Sequence, residues 1–290
     1  MKLCTFKVSG ATHLGIYTDQ YILDLTAADK DLFPDFRSLI RQAKRRNSSL
    51  GELVEPVLSK ARRLTHDKVT LTLPFVPSEI WGAGVTYTRS MEARKRETRY
   101  GEIYDHVYSA SRPELFLKDS GVSRYVGPDE FICVRNDSRW TIPEPELGLV
   151  LDGDGKIVGY TIANDVSARD IEGENPLYLP QAKIYNGSCS FGPVVATPGE
   201  IRSPESLAIR LTITRGGEKT FEGATSTSAM KRRLEEIVSY LKRDNVLGEL
   251  TLLMTGTGIV PPDDFALADG DLVEIAIDGI GVLRNPVRKL

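Results

Sequence analysis

The run Pro143-Glu-Pro-Glu-Leu-Gly-Leu-Val-Leu151, the turn Asp152-Gly-Asp-Gly-Lys156 and the run Ile157-Val-Gly-Tyr-Thr-Ile162 constrain this chain more than any other stretch. Side chains alternate between the faces of a strand. The first run therefore sets Glu144, Glu146 and Gly148 on one face and Pro145, Leu147, Leu149 and Leu151 on the other. The Gly-rich turn folds the second run back as a hairpin, so the residues just beyond Ile162 return to the end that carries the glutamates. Asn164 and Asp165 are among them. A bare Glu-x-Glu is most often a solvated acidic edge; a third carboxylate arriving by hairpin return makes it a candidate metal site of Glu144, Glu146 and Asp165. Like charges so close resist joint ionisation unless a cation lies between them. An all-oxygen donor set suits Mg²⁺, Mn²⁺ or Ca²⁺ and not zinc. The Asp152-Gly-Asp-Gly segment lacks the later ligands of a calcium loop and reads as an ordinary turn.

The rest of the chain divides near residue 75. Residues 1–75 carry short β-prone runs, Leu14–Tyr17 and Tyr21–Leu25, then a helical stripe of Phe36, Leu39, Ile40 and Ala43. Leu50 to about Ala61 reads as a second helix with a break at Pro56. This small N-terminal α/β domain holds nothing catalytic and is expected to be a packing appendage or dimer contact. From residue 76 onwards β signals dominate, and residues 76–290 are expected to form the larger domain that carries the acidic cluster. Leu207, Ile209, Leu211 and Ile213 alternate with smaller or polar residues as a half-buried strand, and Gly216-Gly217 supplies a tight turn. Met230, Leu234, Ile237, Val238 and Leu241 make one clear helix, with Ser226 or Thr227 as its N-cap. Asp271–Ile277 alternates again and ends at Gly279-Ile-Gly281. Regular strand–helix alternation is missing, so the fold class expected is α+β, mostly β, and not a doubly wound sheet.

Bulk properties narrow the function classes. With 37 Lys+Arg against 40 Asp+Glu the chain carries a formal charge of -3. Its only basic runs are short, such as Lys44-Arg45-Arg46, so no nucleic-acid partner is expected. No apolar stretch reaches the roughly 18 residues of a membrane span, and the N-terminus lacks a signal-peptide core. Three widely spaced cysteines, Cys4, Cys133 and Cys189, suggest neither a disulfide framework nor a zinc site. A cytoplasmic location is the expectation.

Several motifs together resemble the fumarylacetoacetate hydrolase superfamily over roughly residues 76–290. They are Glu144-Pro-Glu146, Asn164-Asp-Val-Ser-Ala-Arg-Asp170, Lys183, Thr255-Gly-Thr257 and the ending Gly270–Gly281. The resemblance implies a mixed β-roll body, a dimeric unit or a tetramer built from it, and Mg²⁺ or Mn²⁺ on Glu144, Glu146 and Asp165. By position, Lys183 matches the family's active-site lysine, Arg169 its arginine beside the site and Thr257 its substrate-contacting threonine. One departure bears on the reaction. Hydrolytic members place a water-activating His–Glu dyad after a Gly-x-x-Tyr segment; in Gly82–Ala93 those positions hold Ser90 and Ala93. Glu172 stands where the hydrolase has glutamine.

Trp81-Gly-Ala-Gly84, Val107–Lys118, Trp140–Leu147 and Glu174–Tyr185 resemble one branch of the superfamily, the dehydratases of 2-keto-3-deoxy sugar acids such as 2-keto-3-deoxy-D-arabinonate. That branch implies loss of water to give 2,5-dioxopentanoate. A 2-keto acid chelates one metal through its carboxylate and keto oxygens; a proton then leaves C3 and the C4 hydroxyl departs. Lys183 is the candidate base or enolate stabiliser, with a fixed positive charge as the plainer role. Glu114 and Glu92 are candidates for the acid or the C3 base, although Glu92 lies in a charged run that reads equally as surface. Arg169, Thr257, Lys118 and Tyr87 are the substrate-binding candidates, Arg169 having a structural pairing with Asp170 or Glu172 as its alternative. Residues 86–104, rich in charge, are a candidate cover over the substrate. The other activities weighed are acylpyruvate hydrolysis, oxaloacetate decarboxylation and non-catalytic sensing of a sugar acid. A small-molecule 2-keto acid is the partner in each.

Overall fold

The computed structural model describes residues 1–290. Its strands gather into a twelve-stranded sheet, a five-stranded sheet and one short pair, with short helices at the edges, the mostly-β α+β arrangement expected. At the centre of the large sheet lies the hairpin. Strand Pro145–Leu151 pairs antiparallel with Ile157–Asp165, Pro145 facing Asn164 and Leu147 facing Ile162. The turn between them closes as an Asx turn, Asp152 Oδ1 accepting from the amides of Asp154 (3.0 Å) and Lys156 (2.8 Å).

The alternation holds, but both faces of Pro145–Leu151 are buried. Leu147, Leu149 and Leu151 enter one core cluster, whereas Val150 enters the other. The glutamates therefore open onto an interior cavity, not onto a solvated edge.

Across the boundary expected near residue 75 the sheet is continuous. Strand Lys2–Val8 pairs with Cys189–Ala196, which in turn pairs with Ile157–Asp165. The helix Phe36–Arg46, capped by Asp35, buries Phe36, Leu39 and Ile40 in the cluster that holds Phe191, Val195 and Leu252. Leu50–Val54 is helical, and the chain tightens into a 3₁₀ turn over Glu55–Val57, where Pro56 stands.

The five-stranded sheet follows its sequence signals closely. Ala208–Arg215 buries Ile209, Leu211 and Ile213. Gly216 (φ +59°) and Gly217 (φ +88°) make the two-residue turn into Glu218–Ser226. Leu272–Ile277 buries Val273, Ile275 and Ile277.

The last helix differs from expectation: it spans Leu234–Lys242, and Ser226 caps a separate 3₁₀ turn, Thr227–Ala229. Between them the chain is pinned to residues 86–111. The Lys231 amide donates to the Thr86 carbonyl (2.9 Å), and the Arg232 guanidinium donates to the carbonyls of Ala110 (2.5 Å) and Ser111 (3.1 Å). No helix of the chain is long and apolar enough to cross a membrane. All three cysteines are buried and free.

Candidate active site

The hairpin register builds the acidic cluster. The Asp165 amide donates to the Glu144 carbonyl at 3.0 Å, and the Glu144 amide donates to Asn164 Oδ1 at 3.0 Å. Glu144 thus stands across from Asp165, and Glu146, two residues on, shares their face. All three are buried, and each offers an oxygen within 4.8 Å of the others.

Two lysines serve this cluster from opposite sides. Lys183, at the end of the helix Leu179–Lys183, donates to Glu144 Oε2 and Asp165 Oδ2, both at 2.8 Å, and to Ser167 Oγ at 2.5 Å. Lys118 Nζ lies 2.5 Å from Asp165 Oδ1 and donates to the Val166 carbonyl at 3.0 Å. Burial would strip Lys183 of its proton, but Asp165 and Glu144 outweigh that and raise its pKa. This arrangement favours its ammonium form. Burial likewise works to raise Glu144, yet Lys183, Arg94 and Arg169 together hold it below the usual carboxylate range.

Glu146 has no such help. Its one donor is the Gly256 amide, at 2.6 Å to Oε2. Gly256 has φ +95°, and a Cβ there would come within 2.0 Å of Thr86 Oγ1, so the Thr-Gly-Thr turn needs glycine on two counts. Burial, then Asp165 and Glu144, push the Glu146 carboxyl well above its ordinary range. A hard divalent cation between three buried carboxylates would remove that penalty. The donor set and its spacing therefore fit Mg²⁺ or Mn²⁺.

A helix, Thr88–Glu97, covers the cluster with Ser90, Ala93 and Arg94 turned inward. Arg94 Nη2 donates to Glu144 Oε1 at 2.9 Å, and its Nη1 is ion-paired to Glu172. Glu97, one turn on, holds Arg169, whose Nε lies 3.2 Å from Glu144 Oε1. Beneath this cover is a cavity walled by Val85, Ser90, Arg94, Glu114, Phe116, Glu172, Leu179, Lys183, Thr257 and the three carboxylates. Val85 adopts φ +53°, an uncommon conformation for a β-branched residue and one that clusters at functional sites. Glu114 lies against Gly84, where a Cβ would stand 2.1 Å from its Oε2. It has no ion-pair or hydrogen-bond partner; burial, then Glu172, raise its pKa to about 7.

Of the residues singled out from sequence, the structure gathers Glu144, Glu146, Asp165, Lys183, Glu114 and Thr257 around one cavity. Four others stand elsewhere. Glu92 is exposed on the outer face of the cover helix, because the inward stripe runs through residues 90, 93, 94 and 97. Arg169 does not reach the cavity as a substrate clamp; it is fully buried and pairs with Glu97 and Glu144. Asp170 instead accepts from Ser138 Oγ and the Arg139 amide, both at 2.7 Å. Lys118 stands behind Asp165 and supports that carboxylate. Tyr87 is 1% exposed and packs against Gly258, where a Cβ would lie 2.6 Å from its ring. Sequence reasoning missed Arg94 and Glu97. Their spacing from Ser90 and Ala93 is helical, but a stripe that is mostly polar carries no apolar periodicity to notice.

A family model, the C-terminal domain of fumarylacetoacetate (FAA) hydrolase, matches residues 79–288. A probable 2-keto-3-deoxyxylonate dehydratase from Haloferax volcanii is 47% identical over 282 residues, covering 97% of this chain and 96% of that protein. A 2-dehydro-3-deoxy-D-arabinonate dehydratase from Saccharolobus solfataricus is 44% identical, covering 100% of this chain and 98% of its own length. Among solved structures, a 2-keto-3-deoxy-D-arabinonate dehydratase complexed with magnesium and 2,5-dioxopentanoate superposes with a TM-score of 0.83 at 42% identity, over 100% of this chain and 99% of that one.

Proposed function

The chain belongs to the fumarylacetoacetate hydrolase family, and on that premise we propose that it removes water from a 2-keto-3-deoxy pentonate to give 2,5-dioxopentanoate. It is a hydro-lyase that works with Mg²⁺. The names of the two similar dehydratases converge on one substrate. A 2-keto-3-deoxy acid has lost the stereocentres at C2 and C3, so the arabinonate and xylonate of the same D series become one compound that differs from others only at C4. A dimer or tetramer is the assembly proposed, on the family resemblance.

Glu144, Glu146 and Asp165 would hold the ion. When bound, it supplies a Lewis acid for the carboxylate and keto oxygens of the substrate. Lys183, fixed as an ammonium, adds positive charge where the keto oxygen gains electrons as the C3 proton leaves. The Gly256 amide keeps Glu146 turned toward the cavity. Arg94 and the cover helix exclude water. Glu114 holds a proton near neutral pH and delivers it to the departing C4 hydroxyl.

One observation carries the choice of dehydration: Glu114, without an ion-pair or hydrogen-bond partner, shares the cavity with the acidic cluster, while Ser90 and Ala93 stand where hydrolytic members place their water-activating dyad. Hydrolysis of an acylpyruvate or decarboxylation of oxaloacetate has no such support, and a non-catalytic sensor has no use for Glu114. The test is to incubate the protein and Mg²⁺ with a panel of 2-keto-3-deoxy pentonates and hexonates and to follow product mass. A product lighter by one water is expected from a D-pentonate and is lost with a chelator. No water loss from any of them, or turnover of acylpyruvate instead, overturns the reading.

A further inference from the structure

The cover leaves the body of the chain at one point and returns to it at another, and both points meet the same short segment. The first stem is Thr86-Tyr87, between strand Ile80–Gly84 and the cover helix Thr88–Glu97. The Thr86 carbonyl accepts from the Lys231 amide at 2.9 Å, and Tyr87 bridges to Met230 as an isolated antiparallel pair. The second stem, Val107–Ser111, closes the helix Glu102–Ser109. The last carbonyls of a helix have no partner within it. Here Arg232 donates to that end and just beyond it, Nη2 to Ala110 (2.5 Å) and Val107 (3.4 Å) and Nη1 to Ser111 (3.1 Å). Lys231 Nζ donates to the Tyr108 carbonyl. The Tyr108 hydroxyl lies 2.8 Å from Thr88 Oγ1, so the stems are also tied to each other.

Two features connect this fastening to the site. Val85, in the cavity wall, holds φ +53°, and a β-branched residue stays in that region only where its surroundings over-determine it. Its neighbour Thr86 is fully buried and fixed at both ends. Lys231 holds its carbonyl, and its hydroxyl donates to the Thr255 carbonyl at 2.7 Å. The second feature is the burial of Arg232, which is 8% exposed. Its one carboxylate partner, Glu236 at 2.8 Å, lies four residues on, whereas the carbonyls it binds lie 121 to 125 residues away. A guanidinium drawn into so closed a space spends most of its donors on the backbone of the cover.

We propose that Met230–Arg232 is a clasp that sets the cover over the cavity, with Arg232 a positioning residue for the reaction. The clasp is firmly seated, because the helix that follows it, Leu234–Lys242, buries Leu234, Ile237, Val238 and Leu241 in the main core. It acts through the stems on the cover side of the site, where Val85, Ser90 and Arg94 face the cavity. The metal cradle is built by strand register and stands apart from it. Arginine suits the task, since its planar fork reaches several carbonyls at once and a lysine ammonium does not. The effect on turnover rests on the dehydratase reading; the fastening itself does not.

Arg232→Met keeps an apolar stem but removes every donor. With Mg²⁺ and a 2-keto-3-deoxy pentonate, its kcat/KM should fall about 10- to 100-fold, as when a remote change misplaces groups around the reacting atoms. Its Mg²⁺ affinity by calorimetry should stay within about threefold of wild type, less than the loss expected when a group touching a metal ligand is removed. Arg232→Lys should recover part of the activity. Glu236→Gln, which takes the carboxylate and leaves the carbonyl bonds, should stay within about twofold of wild type. A helix cap with no bearing on the site would lower Tm in Arg232→Met and leave kcat/KM unchanged, and that outcome overturns the proposal. So does a loss of kcat/KM matched by an equal loss of Mg²⁺ affinity. Hydrogen exchange in the wild type supplies a measurement that no misfolded variant can spoil. Mg²⁺ and 2-oxopentanoate, a 2-keto acid with no hydroxyl to lose, are expected to protect the amides of residues 88–109 and that of Lys231 together. Any other pattern overturns the clasp. Wild type that dehydrates no 2-keto-3-deoxy acid overturns the dehydratase reading instead, and hydrogen exchange then still decides the clasp.

Discussion

The cradle and its cover meet at Glu144 but are built by different means. The cradle is made by backbone register: once Pro145 pairs with Asn164, the three carboxylates have nowhere else to go. The cover is made by long side chains. Arg94 reaches from its helix to Glu144 and Glu172, and Glu97 reaches to Arg169. Register is set by dozens of ladder bonds and apolar contacts and survives the loss of any one side chain. An ion-pair network buried away from water depends on each member, since removing one leaves a charge uncompensated. Six carboxyl groups face the four cations of Arg94, Lys118, Arg169 and Lys183 here, namely Glu97, Glu114, Glu144, Glu146, Asp165 and Glu172. With Glu114 protonated, as the acid role requires, five carboxylates face the four cations, and the negative charge left over is one that a divalent ion would offset. The cradle is thus placed by register yet electrostatically incomplete, and Arg94 on the cover supplies part of the positive charge it lacks.

The largest effect should come from the cradle. Glu146→Gln removes a ligand that no lysine or arginine neutralises, and is expected to abolish Mg²⁺ binding by calorimetry and lower turnover by roughly 10³-fold. Its thermal stability without metal should rise or stay level, because a carboxyl pushed up by burial becomes a neutral amide. Lower stability in Glu146→Gln would mean that the cradle depends on ionised Glu146 even without metal. Arg94→Met comes next. It leaves Glu172 without its cation and Glu144 Oε1 with Arg169 alone, costing about 3 kcal/mol of folding stability. It should weaken Mg²⁺ binding about 10- to 100-fold. Proteolysis within 95–100, tracked by mass, should speed up if Arg94 is what holds the cover. Unchanged cleavage would place the anchor in Arg232 and Lys231 instead.

The same contrast decides what the sequence could tell. Strand alternation and a Gly-rich turn put Asp165 beside the Glu-Pro-Glu run, because period two and a hairpin are local rules. Gly216-Gly217 and the buried Ile209, Leu211 and Ile213 were legible for the same reason. The sequence did not reveal that both faces of Pro145–Leu151 would be covered, since Gly148 and Val150 read as well on an open face as on a closed one. Arg94 was hidden because its helix face is polar and its partners lie 50 and 78 residues away in sequence. For Arg169 the motif gave the place but not the direction: its guanidinium is taken by Glu97, a residue no local pattern connects to it.

Two smaller effects bound the cover's role. Glu114 must carry a proton to serve as the acid, and its raised pKa of about 7 keeps that form full below neutrality and removes it above. kcat/KM is therefore expected to fall about tenfold per pH unit on the alkaline side. A profile flat through pH 8 would take the acid role from Glu114. Glu92→Ala should do least. Its side chain faces solvent two residues before Arg94, and exposed substitutions away from caps and ion pairs cost within about 0.5 kcal/mol. Turnover within about twofold of wild type is expected, by the same reasoning. Since Glu92 and Arg94 share one helix turn, a large loss in Glu92→Ala would mean that the outer face of the cover also acts on substrate, and the division between a working inner face and an idle outer one would fail.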